Sequence, residues 1–249
     1  MKPEEIKTIG IMGGGVMGGG IAQVLAVGGY RVTIRDLSEE LLERTRTTIT
    51  DGRFGLNAGV ERGKLSESQK ADAMAAIDLT TEMADLRDVD LLIEAIPEDL
   101  DLKRKVFAEL DALIRPDAIL ATNTSGFAIA DINKAVSNKG RFVGMHWFSP
   151  VPAMKLIELV YAPETSEETI ACLETVGERA GKATIRAKDA PGTYGFVANR
   201  IYFAAVAEAR KVLEEGVASA EDIDKAMRFG FNWPAGPLEM IGGARRGWA

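Results

Sequence analysis

The sequence predicts an α/β fold in which a wound parallel sheet carries a helical-hairpin insertion and is followed by a smaller all-α domain. Three observations predict it. Apolar runs of strand length alternate with helical patterns over residues 8–187, the rhythm of βαβ units. In the first of these units the strand runs into the helix through a run of glycines. After residue 187 the strand-length runs stop and only helical periodicity continues, so the domains are read as 1–187 and 188–249.

The first unit organises the rest. Ile9, Ile11 and Met12 read as a buried strand. G-x-G-x-x-G follows at Gly13, Gly15 and Gly18, then a helical pattern from Ile21 to Val27 that Gly28-Gly29 stops. A second strand, Arg31 to Arg35, runs into Asp36, 18 residues after Gly18. This is the dinucleotide-binding fingerprint, and with it the domain reads as Rossmann-type. Its glycines allow a tight turn, close backbone approach to a pyrophosphate, and close packing of helix on strand. The helix N-terminus offers N–H donors to the phosphates. Asp36 is placed to accept from a ribose hydroxyl, which predicts NAD over NADP. Arg35 beside it could accept a 2′-phosphate instead, but strand alternation points the two to opposite faces, which favours Asp36 as the reader. Residues 8–30 are uncharged, but nine glycines argue against a membrane-spanning helix there.

Composition narrows the function. The chain has 249 residues, is 46% hydrophobic and 27% charged, and carries a net charge of −7. That is ordinary globular composition, and neither nucleic acid nor membrane is expected as a partner. One cysteine, Cys172, excludes a disulfide within the chain and reads as a buried small residue. One cysteine and one histidine exclude the usual zinc sites. The start, Met1 to Lys7, is not net basic as a signal peptide would be, so a cytoplasmic enzyme is expected.

The remaining elements follow in order. Ser38-Glu39-Glu40 has the cap and early acids of a helix start, and helical spacing runs to Ile49. A second helical pattern follows Ser66 and includes Ala71, Met74, Ala75 and Ile77. The two form the hairpin. Arg53, Arg62, Lys64 and Lys70 make it basic, either as a solvated face or to meet a phosphate-bearing ligand. Val89 to Pro97 is a buried strand ended by proline, and Leu102 to Leu113 an amphipathic helix. Ala118 to Thr122 is a strand that runs into Asn123-Thr124-Ser125, where open α/β sheets bind ligands. Arg141 to Met145 is a strand ending on His146. A stiff turn with two prolines leads to the strand Lys155 to Val160, which contains Glu158. Ser166 to Ala180 is a helix and Ala183 to Ala187 the last strand. Lys188 to Gly195 reads as a linker. Phe196 to Glu215 and Ala220 to Phe229 are helices, the first capped by Gly216.

His146, the only histidine, suits proton transfer at the mouth of such a sheet, with Glu158 to orient the imidazole and stabilise its protonated form. A buried structural histidine and an exposed strand carboxylate are the alternatives. Ser125 reads equally as a polar contact or a helix cap, and Asn199 as a helix residue facing solvent.

The motifs Gly13 to Gln23, Glu94-Ala95-Ile96-Pro97-Glu98, Ala121 to Ser125, His146 to Glu158, Phe196 to Arg200 and Gly236 to Glu239 together carry a resemblance. The sequence resembles the L-3-hydroxyacyl-CoA dehydrogenases, in particular the bacterial 3-hydroxybutyryl-CoA dehydrogenases, essentially end to end. The resemblance implies NAD-dependent oxidation of a short (S)-3-hydroxyacyl-CoA, with His146 and Glu158 as catalytic pair and a homodimer formed through the helical domain. It implies substrate-oxygen contacts from Ser125 and Asn199. Cofactor contacts are expected at Gly13, Gly15, Val16, Met17, Gly18, Asp36, Ala95, Ile96, Glu98, Lys103, Asn123 and Ser125. Arg53, Arg62 and Lys64 are expected on the CoA phosphates. The chain departs from the family pattern at Ser149, where the family turn has asparagine. Thr193-Tyr194-Gly195 is inserted in the usual Pro-Gly-Phe junction, and the chain stops at Ala249, where many relatives continue. The alternatives are a hydroxy-acid or sugar-acid dehydrogenase of the same build, or an inactive NAD-binding subunit.

Overall fold

The computed structural model describes residues 2–245. They divide into two compact units, one running to Thr193 and the other starting at Tyr194. The first unit is built on β1 (Thr8–Met12), α1 (Val16–Val27), β2 (Arg31–Arg35), α2 (Glu39–Asp51), α3 (Leu56–Glu61), α4 (Glu67–Ala75) and β3 (Ile77–Thr80). It continues with β4 (Leu91–Glu94), α5 (Leu100–Leu113), β5 (Ile119–Thr122), α6 (Ile129–Ile132), β6 (Phe142–Trp147), β7 (Leu156–Tyr161), α7 (Glu167–Arg179) and β8 (Ala183–Lys188).

The eight strands form one sheet in the order β3-β2-β1-β4-β5-β6-β7-β8. Strands β1 to β6 are parallel. Strand β7 runs antiparallel to β6, and β8 follows β7. The central strands are buried on both faces, which is why they read as unbroken apolar runs. Ile11, Ile93, Ala121, Val143 and Met145 belong to one core cluster. Each buried Ile or Val contributes roughly 1.5–3 kcal/mol.

The hairpin contains three helices rather than two. Ser38 caps α2 by accepting from Leu41 N–H, and Ser66 and Gln69 form a capping box on α4. A short α3 lies between them. Ile77, expected in the second helix, instead opens β3, because α4 ends at Ala75 and Ile77 to Thr80 pair with Val32 to Arg35 at the sheet edge.

The second unit holds α8 (Ala198–Glu214), α9 (Ala220–Gly230) and α10 (Pro237–Arg245). The last helix was not expected from the sequence. Pro237 there is a first-turn residue rather than a breaker, and Asp224 accepts from Leu238 N–H and Glu239 N–H, each at 2.9 Å. Among the described residues no helix is long and apolar enough to cross a membrane.

Candidate active site

The glycine loop between β1 and α1 has three distinct demands. Gly13 has φ +100, and a Cβ there would lie 2.8 Å from the Ala95 carbonyl oxygen. A Cβ on Gly18 would lie 1.8 Å from the Gly13 carbonyl oxygen, so no other residue fits. A Cβ on Gly15 would meet nothing within 4 Å: its side faces open space at the start of α1. The structure keeps that opening at a helix N-terminus, as a bound pyrophosphate requires.

A cavity of about 520 Å³ lies against this loop, lined by Gly13, Gly15, Val16, Asp36, Ala95 and Ile96 among others. Arg35, expected on the face opposite Asp36, borders the same cavity. Asp36 Oδ2 accepts from Gly14 N–H at 2.7 Å, so the acid that ends β2 is tied to the glycine loop. Thr45 Oγ1 donates to the Gly14 carbonyl at 2.8 Å from the other side. The shape, the glycines and the acid all fit a dinucleotide.

Glu98, Lys103, Asn123 and Ser125 gather at the C-terminal ends of β4 and β5. Lys103 is 1% exposed, so its ammonium reaches Glu94 Oε1 at 2.7 Å and Glu98 Oε2 at 3.2 Å rather than open space. Glu98 Oε1 accepts from Thr124 Oγ1 at 2.6 Å and from Ser125 N–H at 2.9 Å. Asn123 Oδ1 accepts from Trp147 N–H at 2.8 Å and so joins the ends of β5 and β6.

His146 lies on β6 and Glu158 directly opposite on β7. Nδ1 of His146 is 2.7 Å from Glu158 Oε2, and both side chains are buried. The Phe148 ring lies 4.6 Å from the imidazole, centroid to centroid. Ser149 is exposed in the turn after β6, followed by a cis peptide bond to Pro150. Asn199 lies in the first turn of α8, in the second unit.

A second cavity, of about 440 Å³, opens between α1, the hairpin and the turn after β6. Arg62, Lys64, Lys155 and Lys182 line it, with Phe54 and Pro152. Lys182 donates to the carbonyls of Val151 and Met154 at 2.7 and 2.6 Å, and burial lowers its pKa to about 8. Arg53 is exposed and stacks over Phe54 outside that lining, its guanidinium carbon 5.4 Å from the ring centroid. Lys70 pairs with Glu67 at 2.8 Å.

Residues 8–190 match the model of the 3-hydroxyacyl-CoA dehydrogenase NAD binding domain, and residues 195–244 that of the C-terminal domain. The chain belongs to the 3-hydroxyacyl-CoA dehydrogenase family. It is therefore an NAD-dependent oxidoreductase. It is 38% identical over 231 residues to a probable 3-hydroxybutyryl-CoA dehydrogenase of Deinococcus radiodurans, covering 93% of this chain and 81% of that one. The mitochondrial hydroxyacyl-coenzyme A dehydrogenase of Rattus norvegicus is 36% identical, over 95% and 75% of the two chains. The crystal structure of (S)-3-hydroxybutyryl-CoA dehydrogenase from Ralstonia eutropha superposes with a TM-score of 0.90 at 40% identity, over 95% and 81%.

Within this family member, the sequence pointed to the glycine loop, Asp36 and the histidine–glutamate pair. It gave no role to Glu94, Thr122 or Thr124, all fully buried polar residues at or just beyond the C-terminal ends of β4 and β5. An acid at the end of an apolar strand is the signal that could have found Glu94, because a buried carboxylate demands partners.

Proposed function

We propose that this dehydrogenase oxidises short-chain (S)-3-hydroxyacyl-CoA to 3-ketoacyl-CoA and catalyses the reverse reduction, with His146 as the proton acceptor and donor. The buried 2.7 Å contact between His146 and Glu158 carries this reading. NAD, when bound, takes the hydride from C3 of the substrate. Glu158 engages Nδ1, fixing the ring and leaving Nε2 as the nitrogen that exchanges the hydroxyl proton. Glu158 also stabilises the imidazolium formed during oxidation. Ser125 and Asn199 are proposed to hold the substrate oxygen, and Ser149 to stand where the family asparagine does.

The CoA phosphates are assigned to the basic cavity, with Arg62 and Lys64 on its wall and Arg53 at its margin. A homodimer through the helical C-terminal domain, read from the sequence as 188–249, is proposed, supported by Ile201, Phe203, Phe229 and Phe231 exposed on the second unit. A cytoplasmic site of action is proposed with it, NAD and acyl-CoA both being water-soluble.

The test is NADH consumption with 3-ketoacyl-CoA substrates of increasing chain length, with NADPH alongside. Acetoacetyl-CoA is expected to turn over well, and NADH to outperform NADPH, because Asp36 repels a 2′-phosphate. Tight NADH binding without turnover of any chain length would mark a cofactor-binding subunit instead.

A further inference from the structure

The wall of the cofactor groove at Ala95–Pro97 is held from behind by two buried charges. Glu94 is 0% exposed and ends β4; Lys103 is 1% exposed and comes from α5. Glu94 Oε1 accepts from Ile96 N–H at 2.8 Å and from Lys103 Nζ at 2.7 Å. Its other oxygen accepts from Thr122 Oγ1 at 2.6 Å, anchoring it to β5. Lys103 approaches the Ile96 carbonyl at 3.4 Å and Glu98 at 3.2 Å. The pair thus grips the wall at Ile96, through both its N–H and its carbonyl, and the Glu98 side chain just beyond it.

We infer that Glu94 is a positioning residue for the cofactor groove: with Lys103 it braces the Ala95–Pro97 wall against the glycine loop. The wall touches that loop directly, since a Cβ on Gly13 would collide with the Ala95 carbonyl. A buried ion pair is a poor source of stability, because desolvating two charges cancels most of their attraction. Its yield here is geometry. The brace sets the Ile96 backbone and presents Glu98 to Thr124 and Ser125.

The inference rests on the groove used in the proposed reaction. Its test reads NADH binding, so it stands or falls whether or not a 3-ketoacyl-CoA is turned over. Glu94→Gln keeps size and removes the charge; Lys103→Met removes the other partner. NADH dissociation constants are measured by fluorescence for both singles and the double, with melting temperatures alongside. Each single is expected to bind NADH about tenfold more weakly. The double is expected to be no worse than the weaker single, while melting above Lys103→Met, which leaves the buried Glu94 carboxylate without a cation. Where a single does not fold, the double decides. Wild-type NADH affinity in a folded double variant overturns the inference. So do losses that multiply to about a hundredfold, which would make Lys103 act independently of Glu94. A double variant that fails to fold overturns it too, since the pair is then structural.

Discussion

His146 and Glu158 are paired residues of adjacent antiparallel strands, and Nδ1 to Oε2 spans 2.7 Å between them. Sheet register, not a flexible loop, sets that distance. Loss of a positioned acid–base group costs roughly 10²–10⁴-fold in rate. His146→Gln is therefore expected to be nearly inactive while still binding NADH. Glu158→Gln should lose much of kcat, and the double variant should be little worse than His146→Gln alone, since groups acting as a unit are non-additive. Steady-state kinetics of the three variants in both directions is the check; losses that multiply would separate the two residues.

Gly15 and Gly18 lie three residues apart and should fail differently when replaced. Gly15→Ala adds a methyl to open space at an ordinary backbone angle, so its melting temperature should match the wild type. Its NADH affinity should fall steeply, because the methyl takes the room meant for pyrophosphate. Gly18→Ala forces a Cβ into the Gly13 carbonyl and should lower the melting temperature as well. Calorimetry and NADH titration on the pair distinguish ligand space from packing space; equal melting losses would refute the distinction.

Most of this architecture was legible because its signals are local. Central strands buried on both faces read as apolar runs, and the glycine loop carries its own spacing. Strand β3 was not legible: Ile77 falls three residues after Met74 and continues a helical spacing, and only pairing with β2 reveals the strand. Helix α10 was hidden behind Pro237, whose favourable first-turn placement depends on Asp224 from another helix. The twelve-residue spacing of the histidine–glutamate pair came with a family resemblance; the antiparallel turn of the sheet explains it. The Glu94–Lys103 brace joins a strand to a helix and leaves no periodicity to read.

Arg62 and Lys64 line the basic cavity on a chain of net charge −7. Neutralising both, as Arg62→Gln and Lys64→Gln, should raise KM for the CoA ester several-fold and leave NADH affinity nearly unchanged. Both side chains are exposed, and solvent-exposed charge pairs contribute about 0.2–1 kcal/mol each. An unaltered KM would return these residues to a solvated surface.

Asp90 ties the starts of β1 and β4. Its carboxylate accepts from Lys7 N–H, Thr8 N–H and the Thr8 hydroxyl, and pairs with Arg115 at 2.6 Å. Burial pushes its carboxyl up, but these donors together outweigh it and hold it below the usual carboxylate range. A carboxyl that ionises more easily folded than unfolded stabilises the protein above its unfolded pKa of about 3.9, and that stabilisation is lost as pH falls through the folded value. Asp90→Asn should therefore cost about 1–3 kcal/mol at pH 7. The gap to the wild type should narrow below about pH 4. Urea denaturation across that range reads it, and a gap independent of pH would count against the assignment.

The antiparallel pairing of β6 with β7 also bears on the order in which the molecule assembles. Only residues 148–155 separate these strands, whereas β1 must find β4 across the whole hairpin, Ile9 beside Leu91. Closing a short loop costs less chain entropy and is faster than pairing distant parallel strands. The His146–Glu158 pair is thus carried by one of the most local strand contacts in the sheet, and the glycine loop's strand by one of the least local. Pulse-labelled hydrogen exchange should find β6 and β7 amides protected before those of β1 and β4. On that order a folding chain joins His146 to Glu158 before it has anywhere to put the nucleotide.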